Sequence, residues 1–279
     1  MRETIKMLKL AVSAAKEAGR YAADHIDKVK KIEHKGGYNN IVTDIDKKCE
    51  EIIIGKITEI FPLHSILAEE TGEHRVDSRA AVKWVVDPID GTTNYAHGFP
   101  IFCTSIGVLL NGESLIGVVY DASRDELFTA ERGCGAFLNG KKITVSSVAL
   151  LRDSLVATGF AYDAEGKAAN LDYFKAALSK VQAVRRAGSA ALDLCYVASG
   201  RFDGFWEMEL SPWDTAAAHL IVQEAGGTVS TFARGAFNIF KKEIAASNGK
   251  IHNEMLELFE GSGSLPTPHT EAQRAEGSL

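Results

Sequence analysis

Cysteine is scarce and dispersed: the four, Cys49, Cys103, Cys134 and Cys195, include no C-x-x-C pair. Reduced thiols in a cytoplasmic protein are therefore expected, rather than a disulfide framework. Long apolar runs are missing too. None reaches the ~18–20 residues that a membrane-spanning helix needs. The N-terminal stretch opens on a helical pattern without a signal-peptide apolar region, so no membrane association is expected. Positive charge is not in excess: 31 Lys and Arg against 37 Asp and Glu leave a formal charge of −6. That balance argues against wholesale nucleic-acid binding, though not against a local basic patch. The eight histidines show no zinc-site spacing, no G-x-S-x-G occurs, and no internal repeat is visible. With 46% hydrophobic and 24% charged residues, 279 residues suffice for one large domain or two lobes.

What is present is acid at strand and helix ends. Trp84-Val85-Val86-Asp87-Pro88-Ile89-Asp90-Gly91-Thr92-Thr93-Asn94-Tyr95 opens on β-branched residues that suit a buried strand. Pro88 cannot donate to a ladder and biases Asp87 toward extended backbone, so the strand is expected to stop there. Gly91 permits a tight reversal, and Thr92-Thr93-Asn94 can begin a short helix with outward N–H groups. Two carboxylates beside free backbone donors suit a hard cation and a phosphate together. In isolation the D-x-x-D-G alone would read first as an Asx-turn, with Asp87 and Asp90 capping local backbone.

The rest of the chain falls into recognisable periods. Ile5, Leu8, Val12, Ala15, Gly19, Ala22 and Ile26 predict a long amphipathic helix. Lys28 to Asn40 reads as a strand-and-turn connector. A second helix is expected from Thr43, with Ile45, Cys49, Ile52, Ile53, Ile57 and Ile60 inward and Phe61-Pro62 ending it; Thr43 and Asp46 could form a variant capping box. Ser65 to Ala68 reads as a short strand delivering Glu69 and Glu70, of which alternation would face only one to a site. Strands are expected at 102–110, 114–120 and 126–131, with turns at Asn111-Gly112 and Asn139-Gly140. Beyond residue 150, strands at 155–158, 183–186, 203–207, 228–231 and 242–247 alternate with helices near 167–180, 190–199 and 213–225. In the last of these, Ser211 and Pro212 supply the N-cap and first position, Asp214 the first turn, and Gly226-Gly227 the stop. That helix is apolar nearly all round, and the neighbouring sequence offers Asp214 no Lys or Arg.

The string D-P-x-D-G-T-x-N, the following Phe99-Pro100, and the W-D-x-A-A block ending in E-A-G-G closely resemble the signatures of the inositol monophosphatase family. The resemblance covers roughly residues 1–260. It implies an α+β fold, the layered αβαβα sandwich of the inositol monophosphatase and fructose-1,6-bisphosphatase superfamily. It also implies a Mg²⁺-dependent hydrolase of inositol 1-phosphate, sensitive to Li⁺, working as a homodimer on a small phosphate monoester. By the same resemblance Glu69, Asp87, Asp90, Asp214 and the carbonyl of Ile89 would bind two or three Mg²⁺ ions, with Asp87 bridging two. Asp46 and Thr92, with Glu69, would be catalytic, orienting and activating the attacking water. The N–H groups of Gly91 and Thr92 would hold phosphate, and Gly188, Ser189, Ala190 and Glu207 would meet the substrate alcohol. A plain Ser189 N-cap accounts for its segment equally well, and the resemblance leaves Asp44 without a role. Four converging carboxylates would repel one another and resist ionisation, so a metal is needed to hold them.

On this reading residues 1–148 form an α+β lobe carrying most metal ligands, 149–261 an α/β lobe with Asp214, and 262–279 a disordered tail. Arg185 and Arg186 read as a solvated face rather than phosphate-steering groups. Cys195 to Arg201 fits the C-x5-R pattern of cysteine phosphatases, but Leu192, Cys195, Val197 and Ala198 continue a helical stripe, which makes the thiol a core residue. Asp44-Ile45-Asp46 opens a helix instead of ending a strand, unlike an aspartyl-phosphate motif. The rival readings are a fructose-1,6-bisphosphatase or another sugar or nucleotide phosphatase of the superfamily, and a non-catalytic binding protein on this fold.

Overall fold

A computed structural model describes residues 2–28, 31–35, 40–74, 81–162 and 164–260. The expected tail and Gly36-Gly37 of the connector lie outside them. In chain order the elements are α1 (Arg2–Ala23), β1 (Ile32–His34), β2 (Ile41–Thr43), α2 (Asp44–Ile60), β3 (Ser65–Ala68), β4 (Gly72–His74), β5 (Val82–Asp90) and α3 (Thr92–Ala96). Then come β6 (Cys103–Leu110), β7 (Glu113–Asp121), β8 (Glu126–Glu131), β9 (Gly135–Leu138), β10 (Lys141–Ile143), β11 (Leu155–Thr158), α4 (Ala164–Leu178) and β12 (Ala183–Arg185). The chain continues through α5 (Ala190–Ala198), β13 (Gly204–Met208), α6 (Pro212–Thr215), α7 (Ala218–Glu224), β14 (Thr228–Ser230), β15 (Glu243–Ser247) and α8 (His252–Glu260).

Two sheets carry the architecture. The larger runs β10-β9-β8-β7-β6-β5-β3-β4, with β3 and β5 parallel and the other pairs antiparallel. The smaller runs β12-β11-β13-β15-β14. Residues of α1 and α2 (Met7, Ala14, Ala18, Cys49, Ile53) pack with Trp84, Ile106 and Val118 on one face of the large sheet. Helices α5 and α7 fill the space between the sheets, where Leu192, Cys195, Leu220 and Ile221 meet Val119, Phe128, Phe205 and Ala246. Tyr173, Met255 and Phe259 of α4 and α8 cover Trp206 and Ala245 on the outer face of the small sheet. The order of layers is αβαβα. Strand periodicity explains how one chain serves three cores: Phe205 faces the central layer and its neighbour Trp206 the outer one.

Three expectations need correction. β5 does not stop at Pro88 but runs to Asp90, with a register shift between Asp87 and Asp90 before Asp90 pairs with Cys103. The bulge absorbs the donor that proline lacks, and the Thr104 hydroxyl donates to the Pro88 carbonyl at 2.9 Å. The helix expected at 213–225 is two segments, α6 and α7, parted at Ala216-Ala217; the His219 ring contacts the Thr215 carbonyl at 2.7 Å, where an unbroken helix would bond its backbone. Glu69 and Glu70 do not alternate across a strand, because β3 ends at Ala68 and the chain turns there into β4.

The break in the helix sits where it nearly touches the large sheet. A Cβ on Gly107 would lie 2.7 Å from the Ala216 Cβ, and one on Gly117 would fall inside contact distance of the Ala217 carbonyl. Glycines on β6 and β7 thus let the segment carrying Asp214 approach the strand carrying Asp87. Gly117→Ala should cost about 1–3 kcal/mol or more from overpacking, exceeding the ~0.4–1 kcal/mol gained from a stiffer unfolded chain. The check is a urea melt, and an unchanged or raised midpoint would show that the contact is not tight.

Candidate active site

The acids converge at the end of β5. Carboxylate oxygens of Asp87, Asp90 and Asp214 all lie within 4.8 Å of one another. Asp87 is buried, and its Oδ1 has no hydrogen-bond partner among the described residues. Asp90 is held by two donors on one oxygen, the Ser189 hydroxyl at 2.6 Å and the Ala191 N–H at 2.7 Å. Asp214 accepts the Ser211 N–H at 2.7 Å, closing a capping box, so one side chain starts α6 and also faces Asp87. Burial, first, and then Glu69, Asp90 and Asp214 push the Asp87 carboxyl well above the usual range. Burial also lifts Asp90 to about 6 against its hydrogen bonds, and raises Asp214 well above normal, with Asp90 adding repulsion. Such a group resists ionisation until a cation joins it. An orphaned buried oxygen among three crowded carboxylates fits a hard, oxygen-preferring metal ion.

Glu69 stands beside this group in the turn after β3. Lys35 Nζ contacts Glu69 at 3.0 Å and Glu70 at 2.7 Å, so both acids of the pair share one ammonium. Burial works against that charge, yet Glu69 and Glu70 hold Lys35 above the ordinary lysine range. Glu50 of α2 fixes the turn: its buried carboxylate accepts the Glu70 N–H at 2.8 Å and the Thr71 N–H at 2.9 Å. Lys35 and Glu50 are the residues that reading the sequence missed. The signal for Glu50 was there, since an acid one turn after Asp46 on a buried face needs donors from elsewhere.

Asp46 is fully buried at the start of α2. It forms the capping box with Thr43, accepting that residue's N–H at 2.9 Å and also its hydroxyl. Its other oxygen accepts the Thr92 hydroxyl at 3.0 Å. The cap and the link to Thr92 were alternatives in the sequence; the structure contains both. Burial pushes Asp46 up to about 6. Asp44, left without a role, accepts the Lys31 N–H at 3.1 Å and so serves the β1–β2 ribbon, away from the cluster.

Gly91 has φ +97, the left-handed turn that only glycine adopts freely, and a Cβ there would lie 2.8 Å from the Ile101 carbonyl. Beside it opens a cavity of about 290 Å³ lined by Asp90, Gly91, Gly188, Ala190, Glu207 and Asp214, among others. Two of the expected substrate contacts, Thr92 and Ser189, do not line it; Thr93 stands on the wall where Thr92 was expected, and Thr92 turns its hydroxyl to Asp46. Ser189 is committed elsewhere too. It is buried, caps α5 and donates its hydroxyl to Asp90, so it supports a carboxylate rather than the cavity wall. Glu207, next to last in β13, is half-buried, and burial followed by repulsion from Asp193 raises its carboxyl to about 8. Gly159 makes room for it, because a Cβ there would collide with the Glu207 carboxylate. Lys167, Arg186 and Tyr162 also line the cavity.

Cys195 lies fully buried within α5, and burial pushes its thiol well above the normal range. That is the opposite of an activated thiolate. Cys195→Ser should retain turnover within about threefold and at most lower stability modestly. A trapped phosphocysteine would contradict this assignment.

An αβαβα sandwich with carboxylates gathered where β5 meets α6 defines the fold class of the inositol monophosphatases. The chain belongs to the inositol monophosphatase family, whose sequence model matches residues 4–264. It is 44% identical over 251 residues to the inositol-1-monophosphatase of Synechocystis, covering 89% of this chain and 86% of that one. It is 43% identical over 252 residues to Nus factor SuhB of Salmonella typhimurium, covering 90% and 94% of the two. The crystal structure of extragenic suppressor protein suhB from Bartonella henselae superposes with TM-score 0.88 at 38% identity, covering 92% of this chain and 99% of that one. Among the described residues no helix is long and apolar enough to cross a membrane.

Proposed function

We propose that this protein is a Mg²⁺-dependent inositol-1-monophosphatase, releasing phosphate from inositol 1-phosphate with water as the nucleophile. The observation that carries the reading is the convergence of Asp87, Asp90 and Asp214 beside a polar cavity that holds Glu207. Glu69, Asp87, Asp90, Asp214 and the Ile89 carbonyl would hold two or three ions. Bound Mg²⁺ would polarise the phosphoryl oxygens and neutralise the charge that develops on them.

The remaining work falls to the chain. The Thr92 hydroxyl has one proton to give, and both the Asp46 carboxylate and the Ile89 carbonyl lie 3.0 Å away. Donating toward Asp46 leaves its oxygen free to accept a proton from the attacking water. Thr92 and Asp46 would thus orient that water and pass its proton inward, Asp46 being tuned toward neutrality as a base should be. The N–H groups of Gly91 and Thr92 would hold the phosphate. A homodimer in the cytoplasm, inhibited by Li⁺, follows from the same family reading. The relatives named Nus factor SuhB favour a second role as a Nus factor, which Asp87→Asn would leave intact while removing hydrolysis.

Discrimination among alcohols falls to Glu207, because every phosphate monoester would use the metal and phosphate groups alike. Above about pH 8, where Glu207 is ionised, charge-assisted hydrogen bonds from ring hydroxyls to its carboxylate are worth ~1.5–3 kcal/mol. Glu207→Ala should therefore lower the kcat/KM ratio of inositol 1-phosphate to a small featureless monoester by at least about 10-fold. Equal losses on both would assign Glu207 to the fold. A phosphate-release screen over inositol 1-phosphate, fructose 1,6-bisphosphate, nucleotide 3′-phosphates and histidinol phosphate tests the function itself; stronger turnover of the bisphosphate would favour the fructose-1,6-bisphosphatase reading.

A further inference from the structure

The turn that delivers Glu69 has its shape imposed from outside. Residues 69–71 link β3 to β4, which pair at Ala68 and Gly72. Each backbone N–H of such a loop needs a partner. Glu69 gives its N–H to the Val86 carbonyl at 3.2 Å, one residue before Asp87. Glu70 and Thr71 give theirs to the two carboxylate oxygens of Glu50, at 2.8 and 2.9 Å. The Thr71 hydroxyl adds a third bond to Glu50 at 2.6 Å. One end of the loop is therefore fastened to the strand of Asp87, and the other to a single side chain of α2.

Glu50 is 1% exposed and takes no part in the proposed hydrolysis. A buried carboxylate is costly unless it is well supplied with donors, and these three supply it. It follows Asp46 by one helical turn on α2, so both project from one face of that helix. The same helix thus sets Asp46 beside Thr92 and clamps the loop that carries Glu69. Among the charges around Asp87, Glu69 acts on it most strongly, ahead of Asp90 and Asp214. A small swing of this loop would therefore move a charge that the cluster feels directly.

We propose that Glu50 is a positioning residue: by bonding the N–H groups of Glu70 and Thr71 it aims the Glu69 carboxylate at the Asp87–Asp90–Asp214 cluster and so sets the affinity for Mg²⁺. This rests on reading that cluster as the metal centre of a phosphatase, and deepens it by naming what places one of the acids. The substitution that tests it is Glu50→Gln, which keeps the size of the side chain but turns one oxygen into an amide donor. With its remaining oxygen on the two Thr71 donors, the amide meets the Glu70 N–H, donor against donor, beside Glu69. Mg²⁺ binding to the metal-free full chain, measured by titration calorimetry without substrate, should weaken by about 10-fold or more, as for residues that support a metal ligand. The Mg²⁺ concentration for half-maximal release from inositol 1-phosphate should rise in step. The deficit in turnover should shrink as Mg²⁺ is raised, with KM for the ester little changed. Thr71→Val removes only the hydroxyl donor and should weaken Mg²⁺ binding by about 2–10-fold. That variant decides the matter if Glu50→Gln does not fold.

A clamp that served the fold alone would lower turnover alike at every Mg²⁺ concentration. The cycle with Glu69→Gln separates the two roles. If Glu50 acts through Glu69, then Glu50→Gln should weaken Mg²⁺ binding no further once Glu69 is already Gln. Additive losses in that cycle overturn the proposal, as does an Mg²⁺ affinity left unchanged by Glu50→Gln and Thr71→Val. Mg²⁺ binding that depends on Glu50 through Glu69, in a chain that releases no phosphate from inositol 1-phosphate, would keep the positioning role and remove the phosphatase reading.

Discussion

Asp87→Asn should lower kcat/KM for phosphate release by more than the ~10–100-fold typical of residues that only support a metal ligand. Asp87 is the most enclosed of the cluster, with an oxygen that no donor among the described residues satisfies and with Glu69, Asp90 and Asp214 around it. An amide in its place supplies neither the charge nor the second acceptor oxygen. Asp90→Asn and Asp214→Asn should fall in the same range, and double substitutions should cost little more than single ones, because any one of them dismantles a shared site. Stability should move the other way. In EDTA a buried carboxylate crowded by like charges destabilises the fold, so Asp87→Asn should raise Tm there while lowering activity in Mg²⁺. Independent, additive losses accompanied by a lower Tm would mean that these acids are structural.

The second large effect concerns the water rather than the metal. Thr92→Ala removes the hydroxyl shared between Asp46 and Ile89, and Asp46→Asn removes the acceptor behind it. Each should cost about 10²- to 10⁴-fold, the usual range for a positioned general base. The loss should appear in kcat with KM nearly unchanged, since the phosphate and cations are held by other groups. Asp46→Asn keeps a cap acceptor for the Thr43 N–H, so Tm should shift by little more than a weakened helix cap allows, about 1 kcal/mol or less. A raised KM with kcat preserved would move Asp46 and Thr92 from chemistry to substrate binding.

The parts of the molecule legible in the sequence are those whose signal is local. Ser211-Pro212 starts a helix by cap chemistry, and Asn111-Gly112 turns a hairpin because both residues take positive φ, at 53° and 84°. The family signatures contain Asp87, Asp90 and Asp214, and the structure brings these three together. What stayed hidden depends on partners far along the chain. Nothing near Pro88 announces that a bulge and the Thr104 hydroxyl carry β5 through it. The split between α6 and α7 falls where the chain packs closely on glycines of β6 and β7, about a hundred residues earlier. Ser189 reads as an N-cap from its neighbours, but its commitment to Asp90 spans 99 residues. Lys35 gives no periodic signal at all; only the fold sets it against Glu69 and Glu70.

The most direct test of the account is phosphate release from inositol 1-phosphate by the full chain, first in EDTA and then after Mg²⁺ is restored in excess. The account predicts no release above background with chelator and recovery of multiple turnovers with Mg²⁺, without any phosphorylated protein. Full turnover in EDTA would contradict it.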